Sequence, residues 1–329
     1  MRTRDVVVIG CSAGGVDALP RIIQQLPADF PASVFIVQHI AATKTPYLVD
    51  ILSRNAQVPV TWGEQGERFV QGHVYVAPPD AHMIFSEDDH IALTRGAREK
   101  HSRPSIDKLF RSAAATHAGR VIGVLLTGML DDGVAGLCAI RDAGGRVVVQ
   151  DPQDAAFPDL PANALLSLVP DRILGIDAIA AALAVLVQEP MAMSPLPEAI
   201  VLEAALDRMV TSTPQQMSKL GPQSALSCPD CAGPTWQLGG ESDRRYRCYL
   251  GHVSTARELL ARGEVAVEAA LWSAVRALNE RAMTLETLAR DCEGIGNAQV
   301  AKDYHDRAEA TRKQAELARH FMLDLMQHH

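Results

Sequence analysis

The stretch VVVIGCSAGG, residues 6–15, constrains the fold of this chain more than any other part of its sequence. Its run of β-branched residues predicts a buried strand, and the glycines that follow predict a tight turn into a helix. Ser12 would then lie at the turn, beside free backbone N–H groups of the helix N-terminus, where a negatively charged oxygen can be stabilised. The stretch therefore predicts a strand–turn–helix unit that presents a serine.

Two known patterns overlap at this turn. The spacing fits the dinucleotide fingerprint G-x-G-x-x-G, but Ser12 occupies its middle glycine position, and the second strand ends in Gln38 and His39 instead of an acidic residue. The spacing also fits the nucleophile elbow G-x-S-x-G, although an α/β-hydrolase has its nucleophile after several strands and its histidine last. A nucleotide-binding protein is a third hypothesis; it predicts binding of NAD(P) or FAD, which we expect to be absent.

Length and composition limit the classes of protein that this chain can belong to. Its 329 residues suggest two domains, and 47% hydrophobic residues indicate a globular protein. A net charge of −8 argues against a general nucleic-acid binder, and no apolar stretch approaches the twenty residues needed for membrane insertion. Three of the six cysteines cluster with a histidine, which indicates a metal site in a reducing compartment. We therefore expect a cytoplasmic location.

From residue 4 to residue 188, apolar strands alternate with helical patterns. The pattern predicts strands at residues 33–38, 120–126 and 146–150 and helices at residues 46–54, 105–118, 133–143 and 177–188. Short β segments at residues 58–61, 73–77, 82–85 and 90–93 are expected to form a hairpin flank beside the main sheet. The alternation predicts an α/β fold with a doubly wound, mostly parallel sheet and helices on both faces.

Three predicted strands end in residues that can act together in catalysis. Ser12, His39 and Asp132 each follow a buried strand, and ligands of such sheets bind beyond the carboxyl ends of the strands. A serine hydroxyl becomes a good nucleophile when an imidazole takes its proton, and a carboxylate orients that imidazole. Each residue alone could be a helix cap or a hydrogen-bonded strand end. Together at one edge of the sheet, they favour a serine hydrolase.

The motifs IGCSAGG, VQHI, VYVAPPDAH, RPSIDKLFRSAA and GVLLTGMLDDGVAGLCAIRDAGG resemble the CheB catalytic domain, the protein-glutamate methylesterase of bacterial chemotaxis, over residues 4–188. The resemblance implies that Ser12 is the nucleophile, His39 the base and Asp132 the acid. It implies an oxyanion hole formed by the backbone N–H of Met129, to which we add that of Ala13. It also implies hydrolysis of glutamate γ-methyl esters on methylated receptors, deamidation of receptor glutamines as a second activity, and no cofactor for catalysis.

Several positions depart from the family pattern. Members usually carry an N-terminal receiver domain, and we expect none here because the catalytic strand starts at residue 6. Leu130 replaces the usual glycine after the methionine, and FPDLP at residues 157–161 replaces FGMP. These two changes leave substrate preference open and motivate an alternative function: a catalytically weak scaffold that binds a signalling partner through its C-terminal module.

Several charged residues in and around these motifs have less specific interpretations. Arg103 is a possible contact for an acidic receptor segment, but a role at the start of the following helix is equally open. Lys100, with Arg95 and Arg98, reads most simply as a solvated loop. Asp131 occupies the variable position of the TGM-x-x-DG motif, so we assign it no catalytic role.

The second half of the chain carries a strong metal-binding pattern. A linker with a short helix is predicted at residues 189–225, followed by a zinc-ribbon-like module at residues 226–257. The spacing C-x2-C-x16-C-x3-H, formed by Cys228, Cys231, Cys248 and His252, suits a closed structural zinc site. A redox C-x-x-C is the alternative, but no thioredoxin-like βαβ pattern surrounds it.

Residues 258–329 are expected to form a helical hairpin, because apolar residues recur at alternating steps of four and three in both arms. The two arms could pack only on each other. Alternatively, they could bind a signalling protein or mediate self-association, and the sequence does not separate these possibilities.

Overall fold

The computed structural model describes residues 3–39, 47–86, 89–191, 195–209, 211–241 and 243–327. The chain divides into two compact units, one that ends at Ala256 and one that begins at Arg257. The strands are β1 (Val6–Cys11), β2 (Ser33–Gln38), β3 (Val60–Trp62), β4 (Val74–Val76), β5 (His82–Phe85), β6 (Ile91–Thr94), β7 (Val121–Leu125), β8 (Arg146–Gln150), β9 (Arg172–Leu174), β10 (Gln223–Ser227), β11 (Pro234–Leu238), β12 (Arg245–Cys248) and β13 (Val253–Thr255). The α-helices are α1 (Gly15–Ile23), α2 (Leu48–Ser53), α3 (Ile106–His117), α4 (Val134–Asp142), α5 (Asp159–Ser167), α6 (Ile176–Leu186), α7 (Glu198–Arg208), α8 (Pro214–Leu220), α9 (Ala256–Gly294) and α10 (Ala298–Gln327).

A seven-stranded sheet in the order β3-β4-β2-β1-β7-β8-β9 forms the centre of the first unit. Every neighbouring pair in this sheet is parallel. The strand β1 lies in the middle, with Val6 opposite Ser33 of β2 on one side and Val121 of β7 on the other. The order of the strands changes direction between β1 and β7, and such a switch point opens a crevice at the carboxyl ends of the strands.

Alternate residues of the strands pack into two separate hydrophobic cores. On one face, Val6 and Val8 of β1 pack with α3, α4 and α5, and on the other face Val7 and Ile9 pack with α1, α2 and α6. All four of these residues are fully buried. A strand covered by helices on both faces needs apolar residues at every position, which explains the unbroken run VVVI. The predicted α/β fold with helices on both faces of a parallel sheet is confirmed.

Some predicted elements differ from those observed. Of the four short segments predicted as a hairpin flank, β5 and β6 form an antiparallel hairpin, whereas β3 and β4 join the main sheet as parallel strands. Each of these two strands has three residues, which is too short for a pattern to distinguish a hairpin from a sheet edge. The predicted helix at residues 46–54 is observed as α2, and residue 46 lies outside the described residues. The helix α5 and the strand β9 were not predicted.

The last part of the first unit is a four-stranded antiparallel sheet, β10-β11-β12-β13, preceded by α7 and α8. The predicted linker therefore contains two helices instead of one. Thr213 begins α8 with a capping box, in which its side chain accepts the Gln216 N–H and the Gln216 side chain accepts the Thr213 N–H. The guanidinium of Arg111 on α3 binds Asp207 of α7, so α7 packs on α3.

The second unit consists of α9 and α10, which form an antiparallel pair. The residues of the predicted apolar repeat are all buried or half-buried, and they are Leu271, Val275, Leu278, Ala282, Leu285, Tyr304, Ala308, Thr311, Ala315, Ala318, Met322 and Leu325. Glu286 of α9 binds Arg312 and His305 of α10 at 2.7 and 2.9 Å. The two arms of the hairpin therefore pack on each other.

Candidate active site

Ser12 follows β1 at the centre of the sheet, and the backbone geometry at Gly14 and Gly15 requires glycine. Gly14 has a φ of 80°, in the left-handed region that favours glycine. A Cβ atom at Gly15 would overlap the Gln38 side chain, so only glycine lets the backbone of the turn lie this close to Gln38. The Ser12 N–H donates to the carbonyl oxygen of Thr127 at 3.0 Å, which joins the turn to the segment after β7.

His39 links Ser12 to Asp132. His39 comes directly after β2, and its Nδ1 lies 3.1 Å from the Ser12 Oγ. Its Nε2 lies 2.8 Å from the Asp132 Oδ2. With the proton on Nε2, the ring donates to the carboxylate, and Nδ1 is free to accept the serine proton. The side chain of His39 is 19% exposed and that of Asp132 is 4% exposed, so a substrate can approach the imidazole but not the carboxylate.

The carboxylate of Asp132 is surrounded by donors from the start of α3. Its Oδ2 accepts the Ile106 N–H at 2.8 Å, and its Oδ1 accepts the Ser105 hydroxyl at 3.0 Å and the Asp107 N–H at 3.2 Å. Burial acts to raise the pKa of Asp132, but the His39 hydrogen bond, the charge of Lys100 and the Ile106 N–H outweigh it. The pKa of Asp132 is therefore held well below its usual range, and the group remains ionised.

Two backbone N–H groups near Ser12 are available to a ligand. Within the part of the chain that the structure describes, the N–H groups of Ala13 and Met129 donate to no other residue. A Cβ atom at Gly128 would lie 2.9 Å from the Ser12 Cβ, so the segment that carries Met129 passes next to the serine. Unpaired N–H groups at such a position can stabilise a developing oxyanion.

The structure also brings forward two polar residues whose contribution the sequence did not reveal. The Gln38 Nε2 donates to the carbonyl oxygens of Ser12 at 2.7 Å and His39 at 3.1 Å. The Thr127 hydroxyl donates to the Ala13 carbonyl oxygen and accepts the Phe157 N–H. These contacts hold the backbone of the segments that carry Ser12 and His39. The sequence signal that could have revealed these roles is a polar residue, Gln38 or Thr127, at or just after the end of an otherwise apolar buried strand.

The interpretation of Lys100 as part of a solvated loop is wrong, whereas Arg95 and Arg98 are exposed as expected. Lys100 is buried, and its Nζ lies 2.8 Å from the Asp131 carbonyl oxygen and 2.9 Å from the Asp107 Oδ2. Burial acts to lower the pKa of Lys100, but the nearby carboxylates raise it above its usual range. Lys100 is therefore a buried cation next to the loop that carries Asp132.

Arg103 is held by groups of its own region. Its Nε and Nη2 donate to the Asp80 Oδ1 at 3.0 and 2.7 Å, and its Nη1 donates to the Gly96 carbonyl oxygen at 3.0 Å. These hydrogen bonds favour a role in holding the polypeptide before α3. A contact between Arg103 and a substrate stays a prediction.

The four predicted metal ligands come together on two turns, one between β10 and β11 and one between β12 and β13. The ligand atoms of Cys228, Cys231, Cys248 and His252 all lie within 4.8 Å of one another. The sulfur atoms of Cys231 and Cys248 are 3.8 Å apart, and the Cys248 sulfur is 3.5 Å from the His252 Nδ1. In a tetrahedral zinc site with bonds of about 2.3 Å to sulfur and about 2.0 Å to nitrogen, the corresponding edges are about 3.8 and about 3.5 Å. The cluster therefore fits a zinc ion.

Comparison with known proteins points to one family. The family model described as CheB methylesterase matches residues 7–183. A protein of Leptospira interrogans (strain Fiocruz L1-130), provisionally assigned as a protein-glutamate methylesterase/protein-glutamine glutaminase, is 38% identical over 176 residues, which are 54% of this chain and 91% of the relative. Protein-glutamate methylesterase/protein-glutamine glutaminase 4 of Geobacter metallireducens is 39% identical over 175 residues, and this chain covers 50% of that longer relative.

A solved structure gives the same result for the fold. The crystal structure of the Thermotoga maritima CheB methylesterase catalytic domain matches with a TM-score of 0.54 and 31% sequence identity, and the match covers 56% of this chain and 98% of that domain. The family model ends at residue 183, so the Cys/His cluster and the helical hairpin lie outside it. None of the described helices has the length and apolar character needed to cross a bilayer.

Proposed function

The chain belongs to the CheB methylesterase family, and from this premise we propose that it is a serine hydrolase that removes methyl groups from glutamate methyl esters of receptor proteins. One observation carries the proposal: the Ser12 Oγ, the His39 ring and the Asp132 carboxylate form a continuous hydrogen-bonded chain with spacings of 3.1 and 2.8 Å. The names of the similar proteins from Leptospira and Geobacter support the ester substrate.

In the first half of the reaction, the Ser12 oxygen attacks the ester carbonyl carbon while the His39 Nδ1 takes the serine proton. The imidazolium that results is stabilised by Asp132, whose low pKa keeps it negatively charged. The N–H groups of Ala13 and Met129 would bind the oxyanion of the tetrahedral intermediate. When the intermediate collapses, the methoxy group leaves with the proton from His39 as methanol, and the glutamyl group remains bound to Ser12.

In the second half, a water molecule gives its proton to His39 and attacks the glutamyl ester of Ser12. Collapse of this intermediate releases a glutamate carboxylate and returns the proton to the Ser12 oxygen. The same steps with an amide substrate would release ammonia and convert a receptor glutamine to glutamate. No cofactor is needed for either reaction, because the nucleophile, the base and the oxyanion donors all come from the chain.

The residues around Ser12 offer an apolar surface for a protein substrate. Met129, Leu130 and Phe157 have side chains that are 53%, 50% and 41% exposed, although each is large and hydrophobic. Leu130 and Phe157 belong to the two segments that depart from the family pattern. We propose that these side chains contact the receptor segment that carries the ester, with Arg103 as a further candidate contact.

We further propose that Cys228, Cys231, Cys248 and His252 hold a structural zinc ion. The Cys228 N–H donates to the Gly233 carbonyl oxygen and the Ala232 N–H donates to the Cys228 carbonyl oxygen, both at 2.8 Å, so backbone hydrogen bonds hold the turn that carries the first two ligands. Four protein ligands leave no position for a water molecule, so the zinc would stabilise the module and take no part in ester hydrolysis. We also propose that the enzyme acts in the cytoplasm and that α9 and α10 bind a signalling partner or a second copy of the chain.

Methanol release from a methylated receptor cytoplasmic fragment tests the proposed reaction. We expect Ser12→Ala to lower turnover by a factor on the order of 10⁴ to 10⁶, because the nucleophile is lost. Ser53→Ala is the matched control, since the Ser53 side chain is exposed and its hydroxyl donates to the Val49 carbonyl oxygen of the same helix, α2. Full activity of Ser12→Ala would refute the assignment of the nucleophile. A wild-type protein that forms a covalent adduct at Ser12 but releases no methanol would refute the substrate.

A further inference from the structure

A tight turn at residues 99–102 lies between the candidate active site and the Cys/His cluster. The Glu99 and Ser102 backbones exchange hydrogen bonds at 3.3 and 2.9 Å. The two central residues, Lys100 and His101, have φ values of 47° and 64°. These are left-handed conformations that favour glycine or asparagine, and other residues adopt them only where surrounding contacts hold the backbone.

The inner side of this turn contacts His39 and the segments on either side of Asp132. The Lys100 Nζ contacts the carbonyl oxygen of Asp131 and the carboxylate of Asp107, at 2.8 and 2.9 Å. Asp131 directly precedes Asp132, and the Asp107 N–H donates to the Asp132 carboxylate. Lys100 therefore joins the two segments that enclose Asp132. The Ser102 hydroxyl is 3.4 Å from the His39 Nδ1, so the turn also borders the proposed base.

The outer side of the turn contacts the module formed by β10–β13. The Lys100 N–H donates to the Val253 carbonyl oxygen at 3.1 Å, and Glu99 pairs with Val253 as an isolated parallel bridge. Val253 follows the candidate metal ligand His252 in the sequence. The strand pairing therefore attaches the turn to a residue whose position depends on the cluster.

A chain of buried ion pairs forms a second connection. Both oxygens of the Glu99 carboxylate accept from Arg111 of α3, at 2.8 and 2.6 Å. Arg111 also binds Asp207 of α7 at 3.0 Å, and Asp207 binds Arg247 of β12 at 2.7 Å. Arg247 directly precedes the candidate ligand Cys248. All four charged groups are buried, so displacement of one of them leaves its partner charge uncompensated.

We propose that Lys100 is a positioning residue of the esterase site, and that the docked Cys/His module holds it in place. If the module loses its order, the Lys100 N–H loses its acceptor and the left-handed turn can relax. The Lys100 ammonium would then withdraw from Asp131, and the loop that carries Met129 and Asp132 would move with it. The oxyanion donor and the acid would both lose their alignment. This inference rests on the proposed triad chemistry but not on the identity of the substrate.

Covalent labelling of Ser12 by a small fluorophosphonate tests this proposal on the full-length protein. The probe needs the nucleophile, the base and the oxyanion donors, but no receptor. We expect Lys100→Met, which keeps the length of the side chain and removes its charge, to lower the labelling rate by roughly ten- to a hundredfold. Lys219→Met is the matched control, because Lys219 is exposed on α8. With the receptor fragment, kcat should fall while KM changes little, because the change affects alignment and not binding.

The role of the module is tested by Cys231→Ser together with hydrogen exchange. We expect this variant to lose bound zinc, to exchange the Lys100 amide hydrogen faster than the wild type, and to label more slowly at Ser12. Chelation of zinc from the wild-type protein gives the same measurement without a substitution, should the variant fail to fold.

Two results would overturn the proposal. One is an unchanged labelling rate in Lys100→Met with a native circular dichroism spectrum. The other is an unchanged labelling rate in a protein whose Lys100 amide has lost its protection. A wild-type protein that labels normally at Ser12 but releases no methanol would instead refute the proposed substrate, and the inference about Lys100 would stand.

Discussion

Replacing Asp132 by asparagine tests how much the buried carboxylate contributes to catalysis. The carboxylate accepts four hydrogen bonds, two at each oxygen: His39 Nε2 and Ile106 N–H at Oδ2, and Ser105 Oγ and Asp107 N–H at Oδ1. An asparagine has one oxygen and one NH2 group, so one of these two positions must present donors to donors. The size of the effect depends on which position the NH2 group takes.

The two orientations of the asparagine predict different losses. With the NH2 group at the Oδ2 position, the N–H of Ile106 at 2.8 Å faces a donor, and His39 must accept at Nε2 and carry its proton on Nδ1. The ring then cannot take the Ser12 proton, a change that costs about 10⁴ in kcat in serine proteases. With the NH2 group at the Oδ1 position, the Ser105 hydroxyl can rotate, and only the Asp107 N–H at 3.2 Å is opposed. The tautomer survives, and the loss is that of one charge-assisted hydrogen bond to the imidazolium, about 1.5–3 kcal/mol or roughly ten- to a hundredfold.

We expect the second orientation to predominate, because it opposes one longer contact instead of one short one. The predicted decrease in kcat/KM is therefore roughly ten- to a hundredfold, with about 10⁴ as the limit if the first orientation prevails. Ester hydrolysis should be measured beside Asp142→Asn, the same substitution at an exposed side chain at the end of α4. A decrease smaller than about threefold in a folded protein would refute the role of Asp132 as the residue that orients His39.

Two further predictions concern stability. Leu130 has a φ of 64° and is half-exposed. Leu130→Gly should therefore leave the free energy of unfolding, measured by urea denaturation, unchanged or raise it by up to about 1 kcal/mol. A decrease of more than about 1 kcal/mol would mean that the Leu130 side chain packs against the loop. Burial, with the charge of Arg120, lowers the pKa of His117 from 6.5 to about 4, so below pH 6.5 the unfolded chain binds a proton that the folded chain does not. Stability should therefore decrease as the pH falls from 6.5 towards 4, and His117→Gln should remove on the order of 1.4 kcal/mol per pH unit of that slope; an unchanged slope would contradict burial of a neutral His117.

The sequence predicted the central strands because local patterns encode them. An unbroken apolar run followed by a polar residue marks the end of a strand buried on both faces; Ser12 and His39 directly follow β1 and β2, and Asp132 lies in the loop after β7. The four residues of the Cys/His cluster likewise come in two pairs that are close in sequence, Cys228 with Cys231 and Cys248 with His252, and each pair lies on one turn. In both cases the chemistry depends on residues whose neighbours in the chain already determine their position.

The features that were missed depend on contacts between distant segments. A lysine is normally exposed, and burial of Lys100 becomes favourable only because α3 supplies Asp107 and the loop after β7 supplies Asp131. The helix α5 was not predicted, and its beginning carries Pro158 and Pro161. These prolines lie at the N-cap and in the first turn, where a backbone N–H has no helical acceptor and proline is tolerated.

The position of β1 has a consequence for how the protein gains and loses activity. The strand β1, which precedes Ser12, pairs with the distant strand β7, and Val6 lies opposite Val121. Pairings so distant in sequence form slowly, since a long loop must close before any contact compensates for the lost entropy. The proposed triad cannot assemble on a partly folded chain, because Ser12 directly follows β1 and Asp132 lies in the loop after β7. Catalytic competence should therefore arise late in folding, and thermal inactivation should coincide with the cooperative melting of the central sheet.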